Sequence, residues 1–329
     1  MLGSMTRITC IDVDQITNAA HNIAGLAVKT PILNHPDLDR LAGARIYLKL
    51  ENLQRTGSFK FRGAYNKLAQ LNSSPGHPVV AWSSGNHAQG VACAAQLRQQ
   101  PAHIVMPADA PGIKLANTAS YGASVVTYDR YHENREEIGQ QLAKDLGADI
   151  IPPYDDYDVM AGQGTCGLEF VEQCRADNIH LDAVLTCCGG GGLTAGVASA
   201  FHHLSSDTAV IAVEPEHFDD HVKSMQAGKR VINAAGPNSI CDALLAPTPG
   251  ELTFPINQNL LAGILSVSDD EIRATLKFAF EKLKLVIEPG GAAALAAVLH
   301  HKIKGHNEHI GVIVTGGNAD PDQFSNYIL

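Results

Sequence analysis

The sequence alternates short runs of β-branched and aromatic residues with longer stretches of helical periodicity, and this alternation constrains the fold most strongly. The pattern predicts strands at Ile46–Leu50, Val79–Trp82, His103–Met106, Ser124–Tyr128, Ala183–Cys187, Val210–Val213 and His309–Thr315. It predicts helices near Phe59–Leu71, Asn86–Gln99, Gly112–Tyr121, Arg135–Leu146, Gly164–Asp177, Leu193–Leu204, Asp269–Lys284 and Gly291–Ile303. Because strands that alternate with helices form βαβ units, we expect an α/β fold of mainly parallel sheets with helices on both faces.

The domain organisation is predicted from length and from breaks in composition. A chain of 329 residues is long enough for two domains. The Tyr- and Asp-rich run Pro153–Asp158 is interpreted as a crossing between them. We therefore predict a large domain of residues 1–55 and 159–329 and a small domain of residues 56–158. The polar stretch Ala234–Thr253 is predicted to be a long functional loop.

Charge and cysteine content exclude several classes of protein. The 24 Lys and Arg residues against 34 Asp and Glu residues give a net charge of −10, which disfavours binding to nucleic acid or to anionic membranes. The seven cysteines include no C-x-x-C pair, which indicates reduced thiols inside a cell. No apolar run is long enough for a signal peptide or a membrane span. We therefore expect a cytoplasmic protein.

Lys60 lies between Phe59 and Phe61, and this setting favours chemistry at its amine. Apolar surroundings disfavour the ammonium form, and the neutral amine is a nucleophile toward aldehydes. The alternative is a lysine whose stem passes its aromatic neighbours to reach water.

A run of four glycines, Gly189–Gly192, stands between a predicted strand and a predicted helix. Several backbone amides can converge there at a helix N-terminus, which makes a site for a phosphate group. The alternative is that glycines only permit a tight turn. The run matches neither G-x-G-x-x-G nor G-x-x-x-x-G-K-[ST], so dinucleotides and nucleoside triphosphates are less natural ligands.

A phosphate site together with a desolvated amine suggests pyridoxal phosphate, which carries both a phosphate and an aldehyde. Five motifs occur in order: residues 57–64 (GSFKFRGA), 83–87 (SSGNH), 161–165 (AGQGT), 189–192 (GGGG) and 288–292 (EPGGA). Together they resemble the serine/threonine dehydratase and serine racemase family of fold-type-II pyridoxal-phosphate enzymes, over nearly the whole chain. The resemblance implies two open, twisted, mainly parallel sheets of the tryptophan-synthase-β-like fold. The large domain would bind the cofactor and the small domain would close over the substrate.

The resemblance also assigns roles to residues. Lys60 would bind the cofactor aldehyde as an imine, Phe59 would lie against the ring, Asn86 would bind the ring's phenolic oxygen and Thr315 would face the ring nitrogen. The phosphate would be held by the backbone of Gly189, Gly190, Gly191, Gly192 and Leu193. A hydroxyl at Thr315 would make the ring a weaker electron sink than a carboxylate would, which favours rapid loss of a β-substituent. Thr315 could instead cap a helix.

The α-carboxylate of the substrate is expected to contact the backbone N–H groups and side chains of Ser83, Asn86 and His87 at the N-terminus of a predicted helix, and Ser84 is a further expected substrate contact. Lys60 would remove the Cα proton. Ser84 could act as an acid/base opposite Lys60, as in family members that racemise, or could only cap the following helix. Arg135 could pair with a second carboxylate, as in 3-hydroxyaspartate, or could belong to a solvated charge run.

A divalent cation (Mg²⁺, Mn²⁺ or Ca²⁺) is expected from the similarity to metal-activated racemases and dehydratases, with Glu214, the Phe218 carbonyl and Asp220 as ligands. Oxygen ligands of this kind suit hard cations. The spacing of His217 and His221 could suggest zinc instead, although no H-E-x-x-H motif is present. Unliganded surface acids are a further alternative.

The combined prediction is a lyase that converts L-serine, L-threonine or L-threo-3-hydroxyaspartate to a 2-keto acid and ammonia. The alternatives are a serine or aspartate racemase that uses Lys60 and Ser84 as opposing bases, and a non-catalytic amino-acid sensor, which the intact Lys60 disfavours. The resemblance also implies a homodimer. Because the sequence stops at Leu329, feedback through a C-terminal regulatory domain is not expected.

Overall fold

The computed structural model describes residues 9–71, 73–83, 85–110, 112–234, 238–303 and 308–329. Within these residues the strands form two separate sheets, one of six strands and one of four. The strands are β1 (Ile32–Leu33), β2 (Arg45–Leu50), β3 (Val79–Trp82), β4 (Ala102–Pro107), β5 (Ser124–Tyr128), β6 (Asp149–Ile150), β7 (Ala183–Cys187), β8 (Ala209–Pro215), β9 (Gly263–Val267) and β10 (His309–Val314).

The α-helices surround these sheets and alternate with the strands along the chain. They are α1 (Val13–Ile23), α2 (Pro36–Ala42), α3 (Lys60–Gln70), α4 (Asn86–Leu97), α5 (Gly112–Ser120), α6 (Arg135–Leu146), α7 (Tyr157–Ala176), α8 (Gly192–Leu204), α9 (Asp220–Ala227), α10 (Thr253–Leu260), α11 (Asp269–Phe278), α12 (Pro289–Leu299) and α13 (Pro321–Ile328). Among the described helices, none is both long and apolar enough to cross a bilayer.

The larger sheet has the order β1-β2-β10-β7-β8-β9, and only the short edge strand β1 is antiparallel to its neighbour. The smaller sheet has the order β5-β4-β3-β6 and is parallel throughout. The predicted α/β fold with two mainly parallel sheets is therefore confirmed. Since neighbouring parallel strands end at one edge, the segments that follow β2, β7 and β10 meet there, and this is where such sheets bind ligands.

Helix α12 belongs to the hydrophobic core that packs against the larger sheet. All of its 11 residues are buried, and seven of them are alanine or glycine. A helix that is apolar on every side lies inside a protein, and small side chains let it approach the strands closely. The helix therefore fixes the preceding segment, which includes Glu288, against the sheet.

The start of α3, which carries Lys60, is fixed by a buried ion network. Arg62 donates from Nε and Nη2 to the two carboxylate oxygens of Glu51, with both distances 2.8 Å. Arg62 also contacts Glu169 on α7, whose carboxylate accepts from Lys49. Burial pushes the pKa of Glu51 upward, but the Arg62 guanidinium holds it below its ordinary value. A bidentate buried pair of this kind defines a single geometry, so α3 has little freedom to shift.

Several sequence predictions about elements were wrong in detail. Helix α7 begins at Tyr157 rather than at Gly164, because Asp156 caps it through the amides of Asp158 and Val159. The predicted helix Asp269–Lys284 is α11 followed by a π-helical turn at Ala279–Leu283. Other elements were not predicted, namely α1, α2, α9, α10, α13, β1, β6 and β9.

The predicted domain boundaries stay a prediction, although β3 to β6 of the smaller sheet all lie within residues 56–158. The predicted loop Ala234–Thr253 contains a short 3-10 helix at Asp242–Leu244, and its residues 235–237 lie outside the described part of the chain.

Candidate active site

A cavity of about 600 Å³ collects most of the predicted site residues. It is lined by Phe59, Lys60, Ser83, Asn86, His87, Arg135, Gly189, Gly190, Gly191, Gly192, Leu193 and Thr315. Ser84 lies outside the described residues. The predicted cation ligands Glu214, Phe218 and Asp220 are not part of the cavity wall. The sequence therefore located the cavity, but not everything that shapes it.

Lys60 is the first residue of α3, and its amine points into the cavity. Its Nζ donates to the carbonyl oxygen of Pro153 at 2.6 Å and lies 5.2 Å from the centroid of the Phe59 ring. Burial lowers the pKa of this amine to about 8, although the carboxylate of Glu288 opposes the shift. A substantial fraction of Lys60 is therefore a neutral nucleophile near physiological pH.

The glycine run joins β7 to α8 and has a conformation that requires glycine. Gly191 has φ +94°, and a Cβ there would lie 2.6–2.9 Å from side-chain atoms of Asn257, His221 and Thr253. Thr253 donates to the carbonyl of Gly190, and Asn257 donates to the carbonyl of Gly191. The residue that precedes α8 is itself a glycine and provides no side-chain cap. The loop thus has anchored carbonyls and a helix N-terminus open to an anion.

Tyr154 is a wall residue that the sequence reasoning missed. A Cβ on Gly190 would lie 2.4 Å from an atom of the Tyr154 ring, so the tyrosine packs directly on the glycine run. Burial, and then the nearby Asp155 carboxylate, raise the pKa of the Tyr154 phenol. The only sequence signal was its place in the segment Pro153–Asp158, which was interpreted as a crossing between domains.

Asn86 and Glu288 form a polar wall of the cavity. Glu288 was not predicted from the sequence as a site residue. The amide nitrogen of Asn86 donates to Glu288 Oε1 at 2.5 Å, and its oxygen accepts from Asn318 at 2.7 Å. Burial, and then the Asp242 carboxylate, raise the pKa of Glu288 to about 7. Glu288 can therefore hold a proton near neutral pH, which makes it a candidate acid or base in the cavity. It stood in a quoted motif, but no role was derived for it.

His87 and Ser83 line the cavity, but some of their hydrogen-bonding groups are already bonded to the backbone of other residues. His87 Nε2 donates to the Ile151 carbonyl at 2.8 Å, and burial, followed by the Lys60 charge, lowers the His87 pKa to about 3. The imidazole is therefore neutral. The backbone N–H of Ser83 donates to Val105, and its hydroxyl accepts from Gly85. The Ser83 amide therefore extends the pairing of β3 with β4.

Thr315 directly follows β10 and is buried beside the glycine run. Its carbonyl accepts from the Phe59 amide at 3.2 Å, and its side chain lines the cavity. The next described helix, α13, is capped by Asp320. The alternative role of Thr315 as a helix cap is therefore wrong, and its hydroxyl lies at the cavity.

Besides Lys60, three lysine or arginine side chains line the cavity. Arg135 begins α6 and is exposed, Arg130 pairs with Asp109 at 2.7 Å, and Lys114 forms a salt bridge with Asp242. The last pair joins α5 to the long loop that follows α9. Arg135 was predicted from the sequence as a site residue. Lys114 and Asp242 were not, because these two residues are far apart in sequence.

Trp82, the last residue of β3, packs against α6. A Cβ on Gly139 would lie 2.3 Å from an atom of the Trp82 indole, so α6 rests on this ring. The ring therefore supports the helix whose first residue is Arg135.

Comparison with known proteins identifies the family. The sequence profile described as "Pyridoxal-phosphate dependent enzyme" matches residues 23–316, most of the chain. The chain belongs to this family. It is 44% identical to L-threo-3-hydroxyaspartate ammonia-lyase of Pseudomonas sp over 95% of this chain and 97% of the relative. It is 39% identical to serine racemase of Schizosaccharomyces pombe, over 96% of each.

A solved structure agrees with this assignment. Maize serine racemase superposes with a TM-score of 0.90 at 36% identity, covering 97% of this chain and 97% of that one. The predicted family and fold type are confirmed. The residue roles that the resemblance implied are not tested by these similarities, and they stay predictions.

Proposed function

We propose that this chain is a pyridoxal-phosphate-dependent ammonia-lyase acting on a β-hydroxy amino acid, with L-threo-3-hydroxyaspartate as the preferred substrate class. One observation carries the proposal. A single cavity contains a desolvated lysine amine, an uncapped helix N-terminus built from glycines, and an exposed arginine in its lining. The relative that is named an L-threo-3-hydroxyaspartate ammonia-lyase supports the choice of substrate.

The residues present fit pyridoxal phosphate. The glycine run forms a cradle that a Cβ would fill, and α8 starts there without a side-chain cap, which suits a phosphate. Lys60 provides the amine that an aldehyde requires. When bound, the cofactor supplies the aldehyde that links covalently to amines and the ring that stabilises negative charge at the substrate Cα.

The protein's own groups would then move protons and hold the substrate. The Lys60 amine would remove the Cα proton of the substrate, and its lowered pKa makes it a suitable base. Asn86 and Glu288 form a polar wall in which the carboxyl can take up or release a proton near pH 7. Loss of the β-hydroxyl as water followed by hydrolysis gives a 2-keto acid and ammonia.

Arg135 provides a test of the substrate class. The variant Arg135→Ala should lose about 10- to 100-fold in kcat/KM for L-threo-3-hydroxyaspartate, because a charged hydrogen-bonded pair contributes about 1.5–3 kcal/mol. The loss for L-threonine, which has no second carboxylate, should be within a few-fold. Release of keto acid measured for both substrates would show this difference.

The matched control is Lys144→Ala, which removes an exposed cation that lies on the same helix but does not line the cavity. It should leave both substrates unaffected. Equal losses for the two substrates in Arg135→Ala would remove the second-carboxylate proposal while leaving the lyase proposal intact.

The pKa of Lys60 predicts how fast apoprotein takes up pyridoxal phosphate at different pH values. Only the neutral amine attacks the aldehyde, so the rate should rise about tenfold per pH unit below the Lys60 pKa of about 8 and level off above it. Stopped-flow absorbance between about pH 6.5 and about pH 10.5 would measure the profile. A rise that continues toward 10.5, the ordinary lysine value, would contradict the desolvated amine.

Racemisation is the alternative activity, because several relatives are named serine racemase. Chiral analysis of the amino acid remaining during the reaction separates the two activities: D-serine formed faster than pyruvate from L-serine would favour the racemase. The proposed acid/base role of Ser84 predicts that Ser84→Ala loses racemisation and keeps elimination. A homodimer and a cytoplasmic location also stay part of the proposal.

A further inference from the structure

Residues 153–155, between β6 and α7, contact both places where the cofactor would be held. The Pro153 carbonyl accepts from Lys60 Nζ at 2.6 Å. The Tyr154 ring packs on the glycine run, where a Cβ on Gly190 would lie 2.4 Å from a ring atom. A carbonyl and a ring can take these positions only if another group fixes the segment. The third residue of the segment, an aspartate, makes the contacts that do so.

The carboxylate of Asp155 binds the start of α10. Its Oδ1 accepts from the backbone N–H groups of Leu252 at 2.8 Å and Thr253 at 3.2 Å, and its Oδ2 accepts from that of Glu251 at 2.9 Å. Amides at the start of a helix have no acceptor within the helix, and the side chain of Leu252, the residue before α10, provides none. Asp155 therefore caps a helix that lies almost 100 residues further along the chain.

This carboxylate approaches the backbone before α10 so closely that a glycine is required there. A Cβ on Gly250 would lie 2.3 Å from Asp155 Oδ1 and 2.7 Å from the Thr253 hydroxyl oxygen. Gly250 is buried, and its N–H donates to the Gly190 carbonyl at 3.2 Å. The carboxylate and the glycine run therefore pack against the same short piece of backbone.

Helix α10 connects the Asp155 carboxylate to the glycine run. Thr253 is the first residue of the helix, and its hydroxyl donates to the Gly190 carbonyl at 2.7 Å. Asn257, one turn later on the same face, donates to the next carbonyl of the run at 3.3 Å. Ile256 is buried in a hydrophobic cluster that includes residues of α8, so the helix is also packed against the element that follows the run. The position of α10 thus determines where two carbonyls of the run lie.

We propose that Asp155 is a positioning residue of the cofactor site, which fixes the glycine run through α10 and holds the Pro153 carbonyl against the Lys60 amine. Asp155 itself is not part of the cavity wall. The inference goes beyond the proposed function, because it concerns cofactor binding and is tested without any amino acid. It rests on the glycine run as the phosphate site, which the variant Gly191→Ala tests separately.

The alternative is a helix cap that stabilises the fold and has no influence on the cofactor. Asp156, the next residue, provides the comparison. It caps α7 through the amides of Asp158 and Val159, both at 3.0 Å, and pairs with Lys67 at 2.8 Å. These contacts belong to α7 and α3, whereas those of Asp155 belong to α10. The two neighbours therefore separate the loss of a helix cap from a change in the cofactor site.

The test compares Asp155→Ala with Asp156→Ala in the apoprotein. Asp155→Ala should bind pyridoxal phosphate about 10- to 30-fold more weakly in a fluorescence titration, and inorganic phosphate should become a weaker competitor of cofactor uptake by a similar factor. Asp156→Ala should lower the melting temperature and keep both affinities within about twofold of wild type. Equal affinity losses in the two variants, or a lower melting temperature with unchanged affinities in Asp155→Ala, would overturn the proposal.

The contact of Pro153 with Lys60 has a separate readout, the rate of covalent attachment at saturating pyridoxal phosphate. In Asp155→Ala this rate should fall about tenfold, because the amine no longer has a fixed acceptor that orients it. Stopped-flow absorbance at one pH would measure it. An unchanged rate would contradict the role of Asp155 in placing the Lys60 amine.

Two further variants cover the case in which Asp155→Ala does not fold. Asp155→Asn keeps an oxygen that can accept from the first amides of α10, so its cofactor affinity should recover most of the loss. Gly250→Ala leaves the carboxylate intact but places a Cβ 2.3 Å from its Oδ1, so it should weaken cofactor binding as Asp155→Ala does. Wild-type cofactor affinity in Gly250→Ala, or no recovery in Asp155→Asn, would count against the proposal.

Discussion

Replacing Lys60 with alanine is expected to lower turnover by at least about 10³-fold with every hydroxy amino acid, because one change removes both the amine that binds the cofactor and the base that takes the Cα proton. The visible absorbance band of the bound cofactor should disappear in the purified variant, and keto-acid release should fall to background. Stability should change little, since Lys60 lies at a cavity wall and the start of α3 is held by Arg62.

The matched control for this experiment is Lys67→Ala. Lys67 lies on the same helix and pairs with Asp156 and Asp158 outside the cavity. It should retain the absorbance band and most of the activity. If Lys60→Ala kept both, the assignment of the site would be wrong, whereas loss of the band alone would separate cofactor attachment from proton transfer.

The second large effect is expected from Gly191→Ala, which should weaken binding of pyridoxal phosphate about 100-fold, or about 2.7 kcal/mol. An alanine at φ +94° costs about 1–2 kcal/mol in backbone strain. The added Cβ would also lie 2.6, 2.7 and 2.9 Å from Asn257, His221 and Thr253, which are held by hydrogen bonds and cannot all retreat. Fluorescence titration of apoprotein with the cofactor measures the loss.

Two glycines provide controls that separate strain from the loss of space. Gly228 also has a left-handed backbone, φ +66°, but nothing lies within 4 Å of its Cβ position, so Gly228→Ala should lower stability without affecting the cofactor. In Gly189→Ala the nearest atom would be at 3.3 Å, and the loss of affinity should be smaller than at Gly191. Equal affinity losses at Gly189 and Gly191 would contradict the geometric argument.

The regular elements that the sequence predicted well are those with a strong local pattern. Strands β3, β5 and β7 have the predicted bounds, because each is a short β-branched or aromatic run between clear turn signals. Strand β9 was missed, since Gly263–Val267 is only partly buried and has a mixed composition. Its place in the sheet comes from pairing with β8, which is a tertiary interaction.

The site residues show the same difference between those that belong to local motifs and those that depend on tertiary contacts. Lys60, the glycine run and Thr315 could be predicted because each belongs to a short motif at the end of a strand or the start of a helix. Glu288, Tyr154 and the Lys114–Asp242 pair could not, because their roles depend on contacts between segments far apart in sequence. No local pattern specifies that an acid will be desolvated beside an amide from another element.

The sequence by itself determined the parallel α/β architecture and the family, and it located Lys60 and the glycine run, because periodicity and short motifs act over a few neighbouring residues. Only the tertiary structure determined which side chains lie next to the glycine run. The sequence predicted Glu214 and Asp220 as ligands for a cation, and only the tertiary structure shows that the His221 ring nitrogen Nδ1 lies 3.2 Å from the carboxylate of Glu214 and 3.5 Å from that of Asp220. The direction of a side chain depends on contacts with residues that are distant in the sequence, and no local pattern reveals those contacts.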